Sequence, residues 1–186
     1  MRAEGYAAVS TRRVAKEVGP TPALVHYYFP TTDDLLVAVY RRAVERTQAR
    51  FTEAVASKRP LRALWALSTD PSCTALAMEF MALANHRKVI RTEIARSAMC
   101  FRKMQADALK NLTRESVANL CPPLGLTVLM AGISRVLVME AALGIDAGHA
   151  EARGFVETWL RRWEPSRRPR PESRPRPAAA RIAHSR

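Results

Sequence analysis

"VGPTPALVHYYFPTTDD", residues 18–34, sets three prolines, a histidine and two adjacent tyrosines within seventeen residues. Its punctuation can be read from both sides. Upstream, Ser10 is a good N-cap, and Val9 before it is placed to pack on Val14 as a hydrophobic staple. Val14, Ala15 and Val18 then form an inward stripe, and Gly19 stands where a C′ glycine ends a helix. Thr21 caps a second helix with Pro22 at its first position, where a missing N–H is harmless. That helix must stop by Phe29, because Pro30 follows. Thr31 caps a third helix, with Asp33 and Asp34 in its first turn favouring the dipole.

Two short helices joined by a tight glycine turn and set on a long third make a helix-turn-helix. In that motif the second helix enters the DNA major groove with its N-terminal residues at base edges. Val25 and Phe29 share a face at i,i+4 and are predicted to anchor this helix, leaving Ala23, His26 and Tyr27 to point elsewhere. Polar aromatics beside small residues suit phosphate and base contacts. The alternative is that Tyr27 and Tyr28 pack half-buried, as tyrosines usually do, and for Tyr28 the two readings are equal.

The remaining chain reads all-α. Leu36, Val39, Ala43, Thr47, Phe51 and Val55 recur at three- and four-residue intervals, predicting one amphipathic helix over 32–56. Further helices are predicted over 61–67, 73–85, 88–112, 124–143 and 149–163, with Pro122 and Pro123 breaking the chain and 144–148 forming a turn. From Pro165 onward there are five prolines and no apolar periodicity, the composition of a disordered or polyproline-like tail. The organisation expected is a DNA-binding region over 1–46, a helical domain over 47–164 and an Arg/Pro-rich tail over 165–186.

The chain of 186 residues has a net charge of +13, from 25 Arg and 5 Lys against 17 acidic residues. The share is +4 for residues 1–59, +3 for 60–164 and +6 for 165–186. A polyanionic partner suits this balance, and the folded part is only mildly basic. Cys73, Cys100 and Cys121 are odd in number and far apart, and with no secretory signal they read as reduced cytosolic thiols. The apolar stretch 124–144 has the length of a membrane span. Arg135 in its middle and Glu140 after it each cost roughly 2.5–3.5 kcal/mol near a bilayer centre, so it reads as a helix buried on both faces by protein. His26, His86, His149 and His184 are scattered, with no Cys or carboxylate at ligand spacing, so no metal or other cofactor is expected. No phosphate-binding glycine loop or nucleophile elbow points to an enzyme.

The stretch "GYAAVSTRRVAKEVGPTPALVHYYFPTTDDLL", residues 5–36, resembles the DNA-binding region of the tetracycline-repressor (TetR) family of bacterial regulators. It shares a Gly-aromatic pair, a capped helix, a glycine turn, and an aromatic-rich helix ending in Phe-Pro before an acid-capped helix. The close match covers about 30 residues; beyond it the resemblance is one of helix count and lengths. It implies DNA contacts from Thr21, Pro22, Ala23, His26, Tyr27 and Tyr28, with Ser10, Thr11 and Arg12 at the start of the preceding helix. Four positions depart from the family pattern. His26 stands where Tyr is usual, Leu24 where a small polar residue is common, Thr32 where a phosphate-binding Lys is frequent, and Arg13 where an acid often completes a capping box. Family members also carry a full amphipathic helix before the Gly-aromatic pair, whereas four residues precede Gly5 here, so an upstream start is expected.

The resemblance further implies a homodimer through the helices 124–143 and 149–163, with Leu129, Ile133, Phe155, Trp159, Leu160 and Trp163 at the interface. The spacing of the last four fits a dimer face or an intramolecular core alike. It also implies an effector cavity for a small apolar or amphipathic molecule, lined by Trp65, Met78, Met81, Phe101, Met104 and Met130. Methionine adapts to ligands, yet a Met-rich helical interior is equally plain core. The expectation is a cytoplasmic, ligand-responsive repressor on a double-stranded, palindromic operator, without a membrane partner. Two other readings stay open. One is a nonspecific nucleic-acid-binding protein driven by the basic tail; the other is a dimeric small-molecule-binding protein with impaired DNA recognition.

Overall fold

The computed structural model describes residues 5, 9–19, 22–112 and 121–164. Among them are eight helices and no strand. In chain order they are α1 (Thr11–Val18), α2 (Pro22–Tyr28), α3 (Thr32–Ala56), α4 (Pro60–Ser68), α5 (Pro71–Ala84), α6 (Lys88–Leu112), α7 (Pro123–Ala142) and α8 (His149–Trp163).

The helix ends follow from local chemistry. Ser10 is extended and its Oγ accepts from the Arg13 N–H at 3.2 Å, while Gly19, at φ +81°, closes α1 in the left-handed region. Its N–H donates to the Ala15 carbonyl at 3.1 Å. At α3, the Thr31 Oγ1 accepts from the Asp34 N–H at 3.1 Å and the Asp34 carboxylate accepts from the Thr31 N–H at 3.0 Å. That reciprocal pair is a capping box. Prolines open α4, α5 and α7 in the first turn, so α4 and α7 begin one residue and α5 two residues earlier than apolar periodicity indicates. Asp70 caps α5, accepting from the Ser72 N–H at 2.9 Å.

Two apolar clusters hold the helices together. Leu36 of α3, Phe80 and Leu83 of α5 and Ile90 of α6 are fully buried at the end that carries α1 and α2. Val9 packs against this cluster. Ala15 is buried and Val14 half-buried, and the Val18 side chain lies outside the described set. At the other end Leu61 and Trp65 of α4 meet Leu137 of α7 and Val156 and Leu160 of α8. The N-terminus of α4 has no cap from its own N-cap residue Arg59. Glu164, just past α8, supplies one instead, accepting from the N–H groups of Leu61 and Arg62 at 2.9 and 3.3 Å.

Helix α7 corrects the expectation of a helix buried on both faces. It is long and apolar enough by composition to cross a membrane, yet only 28% of its most apolar window is buried. Val128, Leu129, Val136, Met139 and Leu143 stand exposed, while Leu126, Leu137 and Val138 on the opposite side are buried.

Between the two clusters, α3 is tied to α6 by charge. Glu93, only 8% exposed, takes a two-pronged contact from Arg41 at 2.9 and 3.0 Å and a third bond from Arg96 at 2.5 Å. The Arg41 bonds, then those of Arg96, hold its carboxyl down at about 2. A depressed folded pKa gives stabilisation that is complete above the ordinary carboxylate range and is lost as pH falls through the folded value. We expect Glu93→Gln to lower unfolding free energy by roughly 1.5–3 kcal/mol at pH 7. Urea midpoints of parent and variant should draw together between about pH 5 and pH 2; a gap unchanged at pH 2.5 would count against the ion pair as its source.

Candidate functional site

The α1–α2 unit is seated by its inward residues and capped at both junctions. Val25 is buried and Phe29 half-buried, with the Phe29 N–H donating to the Val25 carbonyl at 2.8 Å. The opposite face of α2 is open: Ala23, His26, Tyr27 and Tyr28 are all exposed, and so is Leu24. Tyr27 is 78% and Tyr28 66% exposed, their rings meeting edge to face at 5.2 Å. Tyr28 thus falls on the outward side, the alternative of half-burial being excluded by its exposure. A tyrosine normally buries its ring body and wets only its hydroxyl, so two bare rings side by side are surface prepared for contact.

Of the other residues assigned to DNA, Arg12 is exposed, Thr32 half-buried, and Ser10 half-buried with its hydroxyl used as the α1 cap. Thr11 is 6% exposed and packs inward, because the first residue after the cap turns its side chain to the core here. It is therefore not placed for a groove contact. Thr21 and the Pro22 side chain lie outside the described residues.

Behind this head, α3, α4, α5, α6, α7 and α8 surround a cavity of about 500 Å³. That volume lies within the range of small-molecule sites. Its wall is mostly apolar, with Phe51 of α3 and Phe101 of α6 meeting edge to face at 5.4 Å. Of the residues assigned to an effector, Trp65, Met78, Met81, Phe101 and Met130 line this cavity, and Met104 does not. The interface residues expected from sequence divide as well. Leu129 and Phe155 are exposed, Ile133, Trp159 and Trp163 are half-buried against the α4–α7–α8 cluster, and Leu160 is 1% exposed inside it. Leu160 is thus core, because α8 turns that side toward Leu61 and Trp65.

Sequence reasoning missed the polar residues around the cavity. Arg50 of α3 reaches the cap residue Asp70 at 2.7 Å and the Cys73 Sγ at 3.2 Å. Bonds from the Ser72 side chain and from Arg50 hold the Asp70 carboxyl at about 2. Tyr40 lines the cavity too, and burial followed by the charge of Glu93 raises its phenol above the usual value. The Asp-Pro start of α5 was the available signal. Among the described residues no group of three or more His, Cys, Asp or Glu is placed to hold a metal ion.

Residues 1–39 match the family described as "Bacterial regulatory proteins, tetR family". Over that N-terminal region the chain is similar to the TetR family. Its architecture is similar to that of a TetR transcription regulator from Haloarcula marismortui ATCC 43049, with a TM-score of 0.68 and 21% identity over 88% of this chain and 92% of that one. A TetR-family protein from Rhodococcus sp. gives 0.63 and 18% identity over 82% of this chain and 87% of that one. No curated protein matches the chain. The fold is that of a DNA-binding transcriptional regulator, with an N-terminal helix-turn-helix and a helical C-terminal domain.

The head depends on the capping box that starts α3. Thr31→Ala should cost about 1 kcal/mol and speed hydrogen exchange at amides 32–35, with α6 amides unchanged. Equal acceleration in α6 would mean that the cap supports the whole fold and not the head alone.

Proposed function

We propose that this chain is a ligand-responsive transcriptional repressor, acting in the cytoplasm as a homodimer on a palindromic operator, without enzymatic activity. The observation that carries the DNA reading is the bare pair Tyr27–Tyr28 on the helix whose other face is sunk by Val25 and Phe29. In this reading residues 1–46 form the DNA-reading unit, 47–164 the effector and dimer domain, and 165–186 a basic tail. Ser10, Arg12, Thr21, Pro22, Ala23, His26, Tyr27, Tyr28 and Thr32 make the DNA contacts, phosphate contacts setting register and α2 reading bases.

Dimerisation is supported by the exposed apolar face of α7 together with Phe155 of α8, which is 69% exposed. A monomer rarely leaves such a contiguous apolar surface uncovered. Two copies joined there carry two reading heads, which a palindrome with half-sites roughly 34–36 Å apart requires.

Response to ligand is supported by the course of α3. Its first turn bonds through Asp33 to Arg87, its middle through Arg41 to Glu93, and its last half lines the cavity. A molecule in the cavity that favours a different tilt of α3 changes the spacing of the heads. A differential affinity of about 1–3 kcal/mol gives a useful coupling.

Two measurements bear on this. Tyr27→Ala should cost roughly 1–3 kcal/mol on an operator selected from random DNA and change little on unrelated DNA. Equal losses on both would remove α2 from the groove. Phe155→Glu should give monomers in sedimentation and lose operator binding with its helicity intact. A persistent dimer would move the interface elsewhere.

A further inference from the structure

The charged groups on the cavity wall are all of one sign. Arg46, Arg50 and Arg135 line it, and no Asp, Glu or Lys does. Arg46 and Arg50 are one helical turn apart on α3 and share a face. Arg50 is neutralised by Asp70, whereas Arg46 and Arg135 have no ion-pair partner among the described residues.

The serine and threonine hydroxyls of the wall are already in use. Thr47, Thr127 and Ser134 donate to carbonyls of their own helices at 3.0, 2.7 and 3.3 Å. Ser68 donates to the Trp65 carbonyl at 2.9 Å and Ser72 to the Asp70 carboxylate at 2.7 Å. Ser97 is bonded to Tyr40, and Thr74 to the Asp70 carbonyl at 3.5 Å. A neutral, hydroxyl-rich ligand would find few donors left over. What stays available on charged side chains is guanidinium, the group best suited to carboxylates and phosphates, and the half-buried Gln105 amide also lines the cavity.

We infer that the ligand of this cavity is an amphipathic anion, with an apolar body among Phe51, Trp65 and Phe101 and a carboxylate or phosphate head on Arg46 and Arg135. This rests on the effector reading above and names its chemical class. A cationic ligand meets two uncompensated like charges and no carboxylate on the wall, which costs affinity without any steric conflict. Such a head would also attach the ligand to α3, the helix that carries the reading head at its other end.

The test uses the quenching of Trp65 and Trp159, both on the cavity wall. Full-length protein is titrated with decanoate, decyl phosphate, decanol and decyltrimethylammonium, each below its micelle concentration. The tails are equal, so the heads alone differ. The anions should bind at least tenfold tighter than decanol, and decyltrimethylammonium weakest; the better anion distinguishes a carboxylate from a phosphate ligand. In the double variant Arg46→Gln, Arg135→Gln the anions should fall to the level of decanol, with decanol binding and thermal midpoint unchanged. Equal binding of anion and alcohol to the parent, a preference kept by the variant, or silence of all four probes overturns the inference. Anion binding that leaves the operator complex intact upholds the ligand class and sinks the release mechanism instead.

Discussion

Glu93 lies on α6 with almost no access to water, and the rest of the molecule is arranged around that carboxylate. Removing a charge from water costs several kcal/mol unless other groups replace the lost hydration. Arg41 from α3 supplies a planar fork and Arg96 from the next turn of α6 a third bond, so ionisation is favoured and not merely tolerated. The contact lies partway along a helix of 25 residues, roughly 37 Å in length. On one side of it stand the capped start of α3 and the two short helices; on the other stand the residues that face the cavity. The pairing of Asp33 with Arg87 adds a second tie at the first turn. Helix α3 therefore moves with α5 and α6 or strips a buried carboxylate of its half-exposed arginine partner.

The apolar clusters divide the labour in the same way. Leu36, Phe80, Leu83 and Ile90 fill the space behind the reading head, while Leu61, Trp65, Leu137, Val156 and Leu160 close the far end. The cavity lies where the side chains between those clusters do not meet. Protein interiors pack to nearly crystalline density, so a void of this size needs stiff walls. The walls here are helices pinned at their ends: α5 by Asp70 and Arg50, α4 by Glu164. Dense packing above and below, with ionic pins at the helix ends, lets the space stay open.

The legible part of the sequence was local. Ser10, Gly19, Thr31 and Asp34 act within four residues of where they sit, and they placed the ends of α1 and the start of α3 correctly. The outward face of α2 followed from Val25 and Phe29 one turn apart. Contacts across long separations left no such trace. Glu164 caps a helix whose first turn lies 103 residues earlier, and Glu93 pairs with an arginine 52 residues away. Both were ordinary charges on paper. The burial of Thr11, Leu160's place in the core and Met104's absence from the cavity wall failed for a related reason. Each depends on the rotation of a helix about its axis, which residue spacing constrains only to within a face.

Helix α7 shows how far that ambiguity reaches. Its apolar residues run nearly all round, and composition alone allows burial on two sides or passage through a membrane. The fold divides them. Leu126, Thr127, Met130, Ala131, Ser134 and Arg135 face the cavity, while Val128, Leu129, Val136 and Met139 are left exposed. A helix is stiff along its length, so its two faces cannot be displaced independently. If a ligand presses on the inner face, the outer face moves by a comparable amount, and a partner packed there must follow or lose contact area. In the proposed dimer this makes α7 a second path beside α3. Helix α3 would carry the ligand's effect to the head of its own chain, and α7 would carry it to the other copy. In that proposal one helix is apolar on both sides for two different reasons, and its sequence comes to resemble a membrane span.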